Sequence, residues 1–146
     1  MITPEEFEKM LSASLATLHT RLEIGLDKVG ELAQTVAVHS IGHEHAEWPP
    51  LAESTIADKA AKGYAVPAPL LRTGEMRDSI KRELDPFGLE VAIGSSDPKA
   101  LWQEIGTVKI PPRPFLEMGM KAALPFAQET FGKIAVDLLT GKRLFK

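Results

Sequence analysis

The chain has 146 residues, of which 44% are hydrophobic and 25% are charged, and these values are typical of one globular domain with a core of its own. Its net charge of −3 argues against a protein that holds the phosphate backbone of duplex DNA. Cysteine is absent, which excludes disulfides and thiolate metal sites. No apolar run approaches the ~20 residues that span a bilayer.

The N-terminal segment is acidic and lacks the layout of a signal peptide, so we expect synthesis in the cytoplasm. It also begins a long helix, predicted over about residues 4–38. Thr3 can cap this helix, the proline after it suits the first helical position, and Glu6 can close a capping box. Gly25 and Gly30 each cost about 1 kcal/mol relative to alanine, so we expect a bend or break near them.

Apolar or small residues recur along this helix at alternating spacings of four and three. Such a heptad-like stripe can pack along its own domain or against a neighbouring subunit. The positions are Leu11, Leu15, Leu18, Leu22, Gly25, Val29, Leu32 and Val36.

Three of the four histidines lie within residues 39–45. Beside Glu44 or Glu47 they could bind a divalent ion, but the spacing is not that of an HExxH helix, and Gly42 indicates a turn. We therefore read this segment as a polar loop and predict no cofactor. A histidine-dependent metal enzyme is one alternative hypothesis.

Residues 39–114 are predicted to hold short helices and one hairpin. A helix is expected from Glu53 or Ser54 to about Lys62, with Ser54 or Thr55 as its cap. Gly63 is expected to stop this helix. A second, shorter helical turn is expected over residues 74–79, capped by Thr73.

Residues 80–84 and 89–93 alternate apolar and polar side chains, as strands with one buried face do. The sequence DPFG between them has proline second and glycine fourth, which favours a type I turn. We predict an antiparallel hairpin. Pro98 then begins a short helix that carries Leu101, Trp102 and Glu104.

Residues 109–113 are predicted to form a stiff, extended strap, because Pro111, Pro112 and Pro114 fix φ at three places and remove three backbone donors. Gly106 is expected to supply a backbone angle that a side chain would forbid. Arg113 lies between prolines, so its direction is largely preset, and Glu104 is close enough in sequence to pair with it.

A helical pattern covers residues 115–140, with Gly141 expected to end it. Pro125 should kink or split this helix. The basic tail, residues 142–146, is expected to fray or to dock on a partner. The stripe of this helix consists of Leu116, Met120, Ala123, Ala127, Phe131, Ile134 and Leu138.

Residues 102–107 (WQEIGT) followed by residues 110–116 (IPPRPFL) resemble the signature of a tailed-bacteriophage family. Its members are small minor tail, tail-completion or head–tail joining (neck) proteins of the virion-morphogenesis class. Two upstream blocks resemble the same family: residues 48–63, which begin WPPL, and residues 70–80 (LLRTGEMRDSI) with the VAIG that follows. Members often carry tyrosine or histidine around positions 100–103, where this chain reads ALWQ.

The resemblance implies a small α+β subunit. Together with the elements above, we predict a single domain over residues 1–146, with a long N-terminal helix and a C-terminal helix packed on a small antiparallel sheet. The resemblance also implies a structural virion protein without catalysis, a ring-forming homo-oligomer that completes the tail or joins head and tail. The expected partners are other neck or tail proteins, with no membrane and no sequence-specific nucleic acid. The expected location is the virion, and the host cytoplasm during assembly.

Rigid aromatic and arginine side chains are common hot spots of protein interfaces, and no nucleophile, phosphate-loop or dinucleotide motif is present. Trp48 and Phe115 have two alternatives of equal weight: a contact with a partner protein or a place in the hydrophobic core. A third hypothesis is an oligomeric helical adaptor or assembly chaperone that acts through the heptad-like stripe. The predicted protein-contact residues are Trp48, Leu101, Trp102, Glu104, Thr107, Arg113, Pro114 and Phe115.

Overall fold

Two long helices and one hairpin make up the framework of the chain, whose computed structural model describes residues 1–87 and 89–140. The α+β class, with long first and last helices and a small antiparallel sheet, is confirmed. The elements are α1 (Pro4–Ser40), α2 (Glu53–Ala61), α3 (Glu75–Asp78), β1 (Ile80–Asp85), β2 (Glu90–Ser95), α4 (Pro98–Ile105) and α5 (Phe115–Thr140).

The start of α1 follows the local sequence signal. The Glu6 backbone N–H donates to Thr3 Oγ1 at 3.1 Å, and the Thr3 N–H donates to the Glu6 carboxylate at 2.8 Å, which completes the predicted capping box. Of the bend or break predicted near the two glycines, the break does not occur, because α1 is continuous. A Cβ on Gly30 would lie 2.4 Å from the Val91 side chain. This glycine therefore lets the hairpin approach the helix closely.

Helices α1 and α5 run antiparallel and are packed through small side chains. At their closest approach, a Cβ on Gly119 would lie 2.3 Å from the backbone oxygen of Ala33. On α1 the buried positions recur every four residues from Arg21 onward: Arg21, Gly25, Val29, Ala33 and Ala37.

This spacing of four corrects the predicted heptad-like stripe. Leu11 and Leu15 belong to the predicted stripe but are exposed, whereas Ala33 and Ala37 are outside it and are buried. Small residues occupy the buried positions Ala33 and Ala37 because they let the backbones of α1 and α5 approach closely, as Gly119 of α5 also does.

One charged pair is buried between the two helices. Arg21 of α1 and Asp137 of α5 both have almost no exposed side chain, and Arg21 Nη2 lies 3.9 Å from Asp137 Oδ2. At this distance the contact is an ion pair rather than a hydrogen bond. It marks the middle of α1 as the part that lies next to the last turn of α5.

Helix α5 continues through Pro125, so the predicted split does not occur. Pro125 is exposed, and water can serve the carbonyl that loses its helical donor. The expected stop at Gly141 and the basic tail, residues 142–146, lie outside the described residues.

The hairpin is confirmed, with Ile80 paired to Ser95 and Asp85 to Glu90. Alternate residues of each strand turn toward α1, as the sequence pattern predicted. Arg82 fixes the hairpin on α1: its Nε lies 3.0 Å from Asp27 Oδ1, and its Nη1 donates to Gln34 Oε1 at 3.1 Å. Gly88, part of the predicted type I turn, lies outside the described residues.

The caps of the short helices differ from the prediction. Ala52 precedes α2 and makes no side-chain cap, so neither Ser54 nor Thr55 caps it. Gly74, with φ +89°, precedes α3, and Thr73 Oγ1 accepts only a long hydrogen bond of 3.5 Å from the Glu75 N–H. Tertiary packing therefore holds these elements more than capping does.

A buried lysine ties α2 to the loop that follows it. Lys59 Nζ donates to the backbone oxygens of Ala68 at 2.6 Å and Leu71 at 2.7 Å. Burial, with a smaller contribution from the charge of Arg72, lowers the pKa of Lys59. Its two carbonyl partners satisfy the ammonium group inside the protein.

The main core lies at the end of the helix pair where α1 ends and α5 begins. It joins residues from six parts of the chain: Ala37, Ile41, Trp48, Met76, Ile80, Ala100 and Phe115. A second, smaller cluster of Val29, Ala33 and Ala123 continues along the helix pair. In the described ranges, every helix is too short or too polar to cross a membrane.

Candidate protein-contact site

The proline-rich segment connects α4 to α5 and begins with a tight turn. The Thr107 N–H donates to the Ile110 carbonyl at 2.8 Å, and Thr107 Oγ1 accepts from the N–H groups of Ile110 at 3.1 Å and Lys109 at 3.3 Å. Of the predicted strap, residues 109–113, Lys109 and Ile110 belong to this turn instead, whereas residues 111–113 are neither helix nor strand, as predicted. Thr107, one of the predicted protein-contact residues, therefore shapes the turn with its hydroxyl group.

Gly106 makes this turn possible. Its φ is +77°, a conformation that side chains rarely adopt. A Cβ at this position would lie 2.9 Å from the backbone nitrogen of Pro112. The prediction that Gly106 supplies a special backbone angle is confirmed, and the strap folds back against this glycine.

Arg113 is bound inside the chain, which differs from its predicted role as a partner contact. Its side chain is 5% exposed. Its Nε and Nη2 donate to the Pro49 carbonyl at 3.1 and 2.9 Å, and Nη2 also donates to the Pro50 carbonyl at 3.1 Å. Burial lowers the pKa of the guanidinium, which stays protonated at any ordinary pH.

The main chain of Arg113 is held as firmly as its side chain. Its N–H donates to the Gln103 carbonyl of α4 at 2.6 Å. The residue thus links three segments: the strap, α4 and the WPP turn that begins at Trp48. We infer that Arg113 positions the strap and that its buried side chain is not accessible to a partner protein.

Glu104 does not pair with Arg113, contrary to the prediction. Its carboxylate accepts hydrogen bonds from the backbone N–H groups of Leu116 at 2.9 Å and Glu117 at 2.8 Å. These N–H groups belong to the first turn of α5, which has no helical acceptors for them. Glu104 therefore caps α5 from another helix, with its negative charge at the positive end of the helix dipole.

The two aromatic residues with alternative roles lie in the core. Phe115 has no exposed surface, and Trp48 is almost fully buried. The His45 ring packs edge-on against Trp48 with 4.4 Å between ring centroids. Trp48 Nε1 is buried without a hydrogen-bond partner among the described residues. Pro114, between Arg113 and Phe115, is half-buried.

Four large apolar side chains project from this braced framework into solvent. On α4, Leu101 is 59% exposed, Trp102 47% and Ile105 66%, and Val108 at the tip of the turn is fully exposed. We call these four residues the strap patch. Monomeric proteins seldom leave such neighbouring apolar side chains uncovered unless they bind something.

Two residues of the strap patch, Ile105 and Val108, were missed by the sequence reading. Ile105 follows Leu101 by four residues, so it lies on the same face of α4, and this spacing could have identified it. No sequence signal distinguishes Val108, whose exposure depends on how the turn at Thr107 points its tip.

The histidine segment uses its ring nitrogens on nearby carbonyls. His39 Nδ1 lies 2.8 Å from the Thr35 oxygen, and His45 Nε2 lies 3.1 Å from the Ser40 oxygen. Within residues 1–87 and 89–140, no group of three histidine or acidic side chains is placed to hold a metal ion. The metal-enzyme hypothesis therefore gains no support from the geometry.

Comparisons of the chain with protein-family models, with curated proteins and with solved structures gave no match in any of the three. The likeness to phage proteins therefore rests on the motif residues of the chain itself.

Proposed function

We propose that this chain is a structural protein of a tailed-phage virion, placed at the neck or the tail end, where it joins head to tail or completes the tail as a ring subunit. The observation that carries the proposal is the strap patch: four uncovered apolar side chains on a framework braced by the hydrogen bonds of Glu104, Thr107 and Arg113. Such a surface suits protein contacts, because side chains that are already ordered lose little entropy on binding.

The motif residues have separate roles in this proposal. Gly106, Glu104 and Arg113 hold the segment in place, and the strap patch makes the contact. The three blocks that resemble the phage family also meet in one core, through residues such as Trp48, Met76 and Phe115. The motifs thus describe one folded unit, which supports reading them together.

The proposal is tested in the phage that encodes the chain. Particles made without the protein should show unjoined heads and tails if it is a connector, or tails of wrong length with unfinished ends if it completes the tail. Particles of normal yield and shape would overturn the proposal. Negative-stain microscopy distinguishes these outcomes.

Complementation then tests the strap patch itself. Trp102→Ser and Val108→Ser should fold normally and fail to restore particles, because each removes an exposed apolar contact. The matched control is Phe87→Ser at the hairpin tip, since Phe87 is 93% exposed and outside the patch. Equal rescue by all three variants would remove the strap patch from the proposal.

A second candidate function is a helical adaptor or assembly chaperone, favoured by the exposed side chains of Phe7, Leu11 and Leu15 on α1. Deleting residues 1–38 is unsuitable as a test, because Val29, Ala33 and Ala37 belong to the core. Leu11→Glu with Leu15→Glu is the better change. An adaptor that acts through this face would lose partner binding with this change and keep it with Trp102→Ser, whereas a ring subunit would still need its strap patch.

A further inference from the structure

A second uncovered apolar surface lies at the other end of the molecule. Because Arg21 is opposite Asp137 and the helices are antiparallel, Thr140, the last described residue of α5, lies about one turn before Arg21 along α1. The first turns of α1 therefore extend about 20 Å past Thr140. On this extension Phe7, Leu11 and Leu15 are exposed at helical spacing. We call these three residues the helix face.

The two surfaces lie at opposite ends of the helix pair. The strap patch is next to the end of α1 and the start of α5, and the helix face is at the start of α1. The two surfaces also differ in form, because one is a braced turn with a short helix and the other is the side of a long helix. A chain with two unlike apolar ends is suited to head-to-tail contact with copies of itself.

Charge supports the same pairing. Lys99 and Lys109 flank the strap patch in the chain, and neither makes an ion pair in the part of the chain that the structure describes. The one carboxylate between them belongs to Glu104, which caps α5. Residues 1–15 carry three glutamates and one lysine. Of these, Glu5 and Glu8 are exposed beside the helix face. Opposite charges around two apolar surfaces favour their meeting and disfavour contact of either surface with itself.

We propose that the strap patch of one copy binds the helix face of the next copy, so that each chain uses both surfaces at once. Repeated head-to-tail contacts close into a ring when the rotation between copies permits. The ring rests on the proposed function, but the contact itself does not. Seven apolar side chains bury less than a standard interface, so the free protein should associate weakly and assemble when neighbours hold it in place.

Disulfide trapping can detect such a weak contact, and the chain is suited to it because it has no cysteine. We would place one cysteine beside each surface without removing its apolar residues: Lys99→Cys beside the strap patch and Ser12→Cys beside the helix face. The two variants are mixed in equal amounts and oxidised. Intact mass separates the mixed disulfide from the two homodisulfides, because the two substitutions change the mass differently.

We expect the mixed disulfide to exceed both homodisulfides at least tenfold. The matched control replaces Ser12→Cys by Ala57→Cys on α2, which is also an exposed helical position, and should give the random distribution. Adding Trp102→Glu to the Lys99→Cys chain should reduce the mixed disulfide to the control level. A predominant Ser12→Cys homodisulfide, or a mixed disulfide no more frequent than in the control, would overturn the contact.

The contact and the proposed function fail separately. If the mixed disulfide forms but particles without the protein are normal, the contact stands and the virion role falls. If particles need the protein but the mixed disulfide stays at the control level, the virion role stands and the head-to-tail contact falls.

Discussion

Replacing Arg113 by alanine distinguishes a residue that braces the fold from one that grips a partner. The guanidinium makes three hydrogen bonds to the carbonyls of Pro49 and Pro50. A hydrogen bond from a charged donor contributes about 1.5–3 kcal/mol. Both carbonyls belong to exposed prolines and can bind water once the arginine side chain is removed. We therefore expect a loss of stability of about 1.5 kcal/mol, the low end of this range, for each carbonyl.

The buried stem of the side chain alters this sum little, because the lost packing is offset by about 2 kcal/mol of regained side-chain entropy. We therefore expect Arg113→Ala to lower the free energy of unfolding by about 3 kcal/mol, a large part of the ~5–15 kcal/mol that a domain has. Arg113→Lys should lose about half as much, since one ammonium cannot match the fork of a guanidinium.

Urea unfolding measures this effect, followed by far-ultraviolet circular dichroism and by tryptophan fluorescence, in a Trp102→Phe background that leaves only Trp48, which begins the turn that Arg113 holds. Lys109→Ala is the control, because this exposed neighbour should change stability by no more than about 0.5 kcal/mol. An Arg113→Ala protein as stable as the wild type, but unable to support particle assembly, would refute the reasoning. Arg113 would then act on a partner after all.

Three further predictions concern single contacts. Gly132→Ala should raise the free energy of unfolding by about 1 kcal/mol, because an added Cβ meets nothing within 4 Å. Gly119→Ala in the same helix should be about 1–3 kcal/mol less stable than Gly132→Ala, because its Cβ would meet the backbone of α1. Equal thermal midpoints of the two variants would contradict the close packing of α1 and α5. Glu104→Ala should cost about 1–2 kcal/mol by urea unfolding, and Glu104→Gln less, because an amide still offers one acceptor to the two N–H groups that begin α5. The hydrogen bond from Lys62 lowers the pKa of Asp58 in the folded protein. Asp58 therefore stabilises the fold at pH values above the ordinary aspartate pKa of about 4, and this stabilisation is lost as the pH falls through the lower pKa of the folded state. The difference in urea midpoint between wild type and Asp58→Asn should be constant above about pH 5 and should become smaller below about pH 4.

The elements that sequence predicted well are those defined by neighbouring residues. The start of α1 depends on Thr3 and Glu6, three positions apart, and the hairpin depends on alternation within each strand around one turn. Strand alternation and a complete capping box are short-range signals that a single sequence contains, whereas the single cap residues predicted for α2 and α3 were wrong. The backbone role of Gly106 was predictable for the same reason.

The roles of the site residues were not predictable, because their partners are distant in sequence. Arg113 binds carbonyls 63 and 64 residues earlier, and Glu104 caps a helix that begins after the strap. A proline-flanked arginine can face inward or outward, and only the position of the WPP turn decides. The sequence reading therefore identified the right segment, but placed Arg113 at its surface and omitted Ile105.

The stripe of α1 was misread for a related reason. Leucines repeat at heptad spacing, yet the residues that α5 covers are small and four apart, because Gly119 brings the backbones together. The leucines left over near the start of α1 form the helix face. A pattern that looked like one continuous core stripe thus divides into a buried part and an exposed part.

The buried pair of Arg21 and Asp137 has a consequence for the alignment of the two long helices. A slide of one turn would place Ala123 or Phe115 where Gly119 now meets the backbone of Ala33, so the close packing already disfavours other registers. A slide would also separate Arg21 from Asp137 and leave buried charges without their partner, at a cost of about 3–5 kcal/mol. The buried charge pair thus adds to the close packing in selecting a single alignment, and with it the distance between the two ends of the molecule.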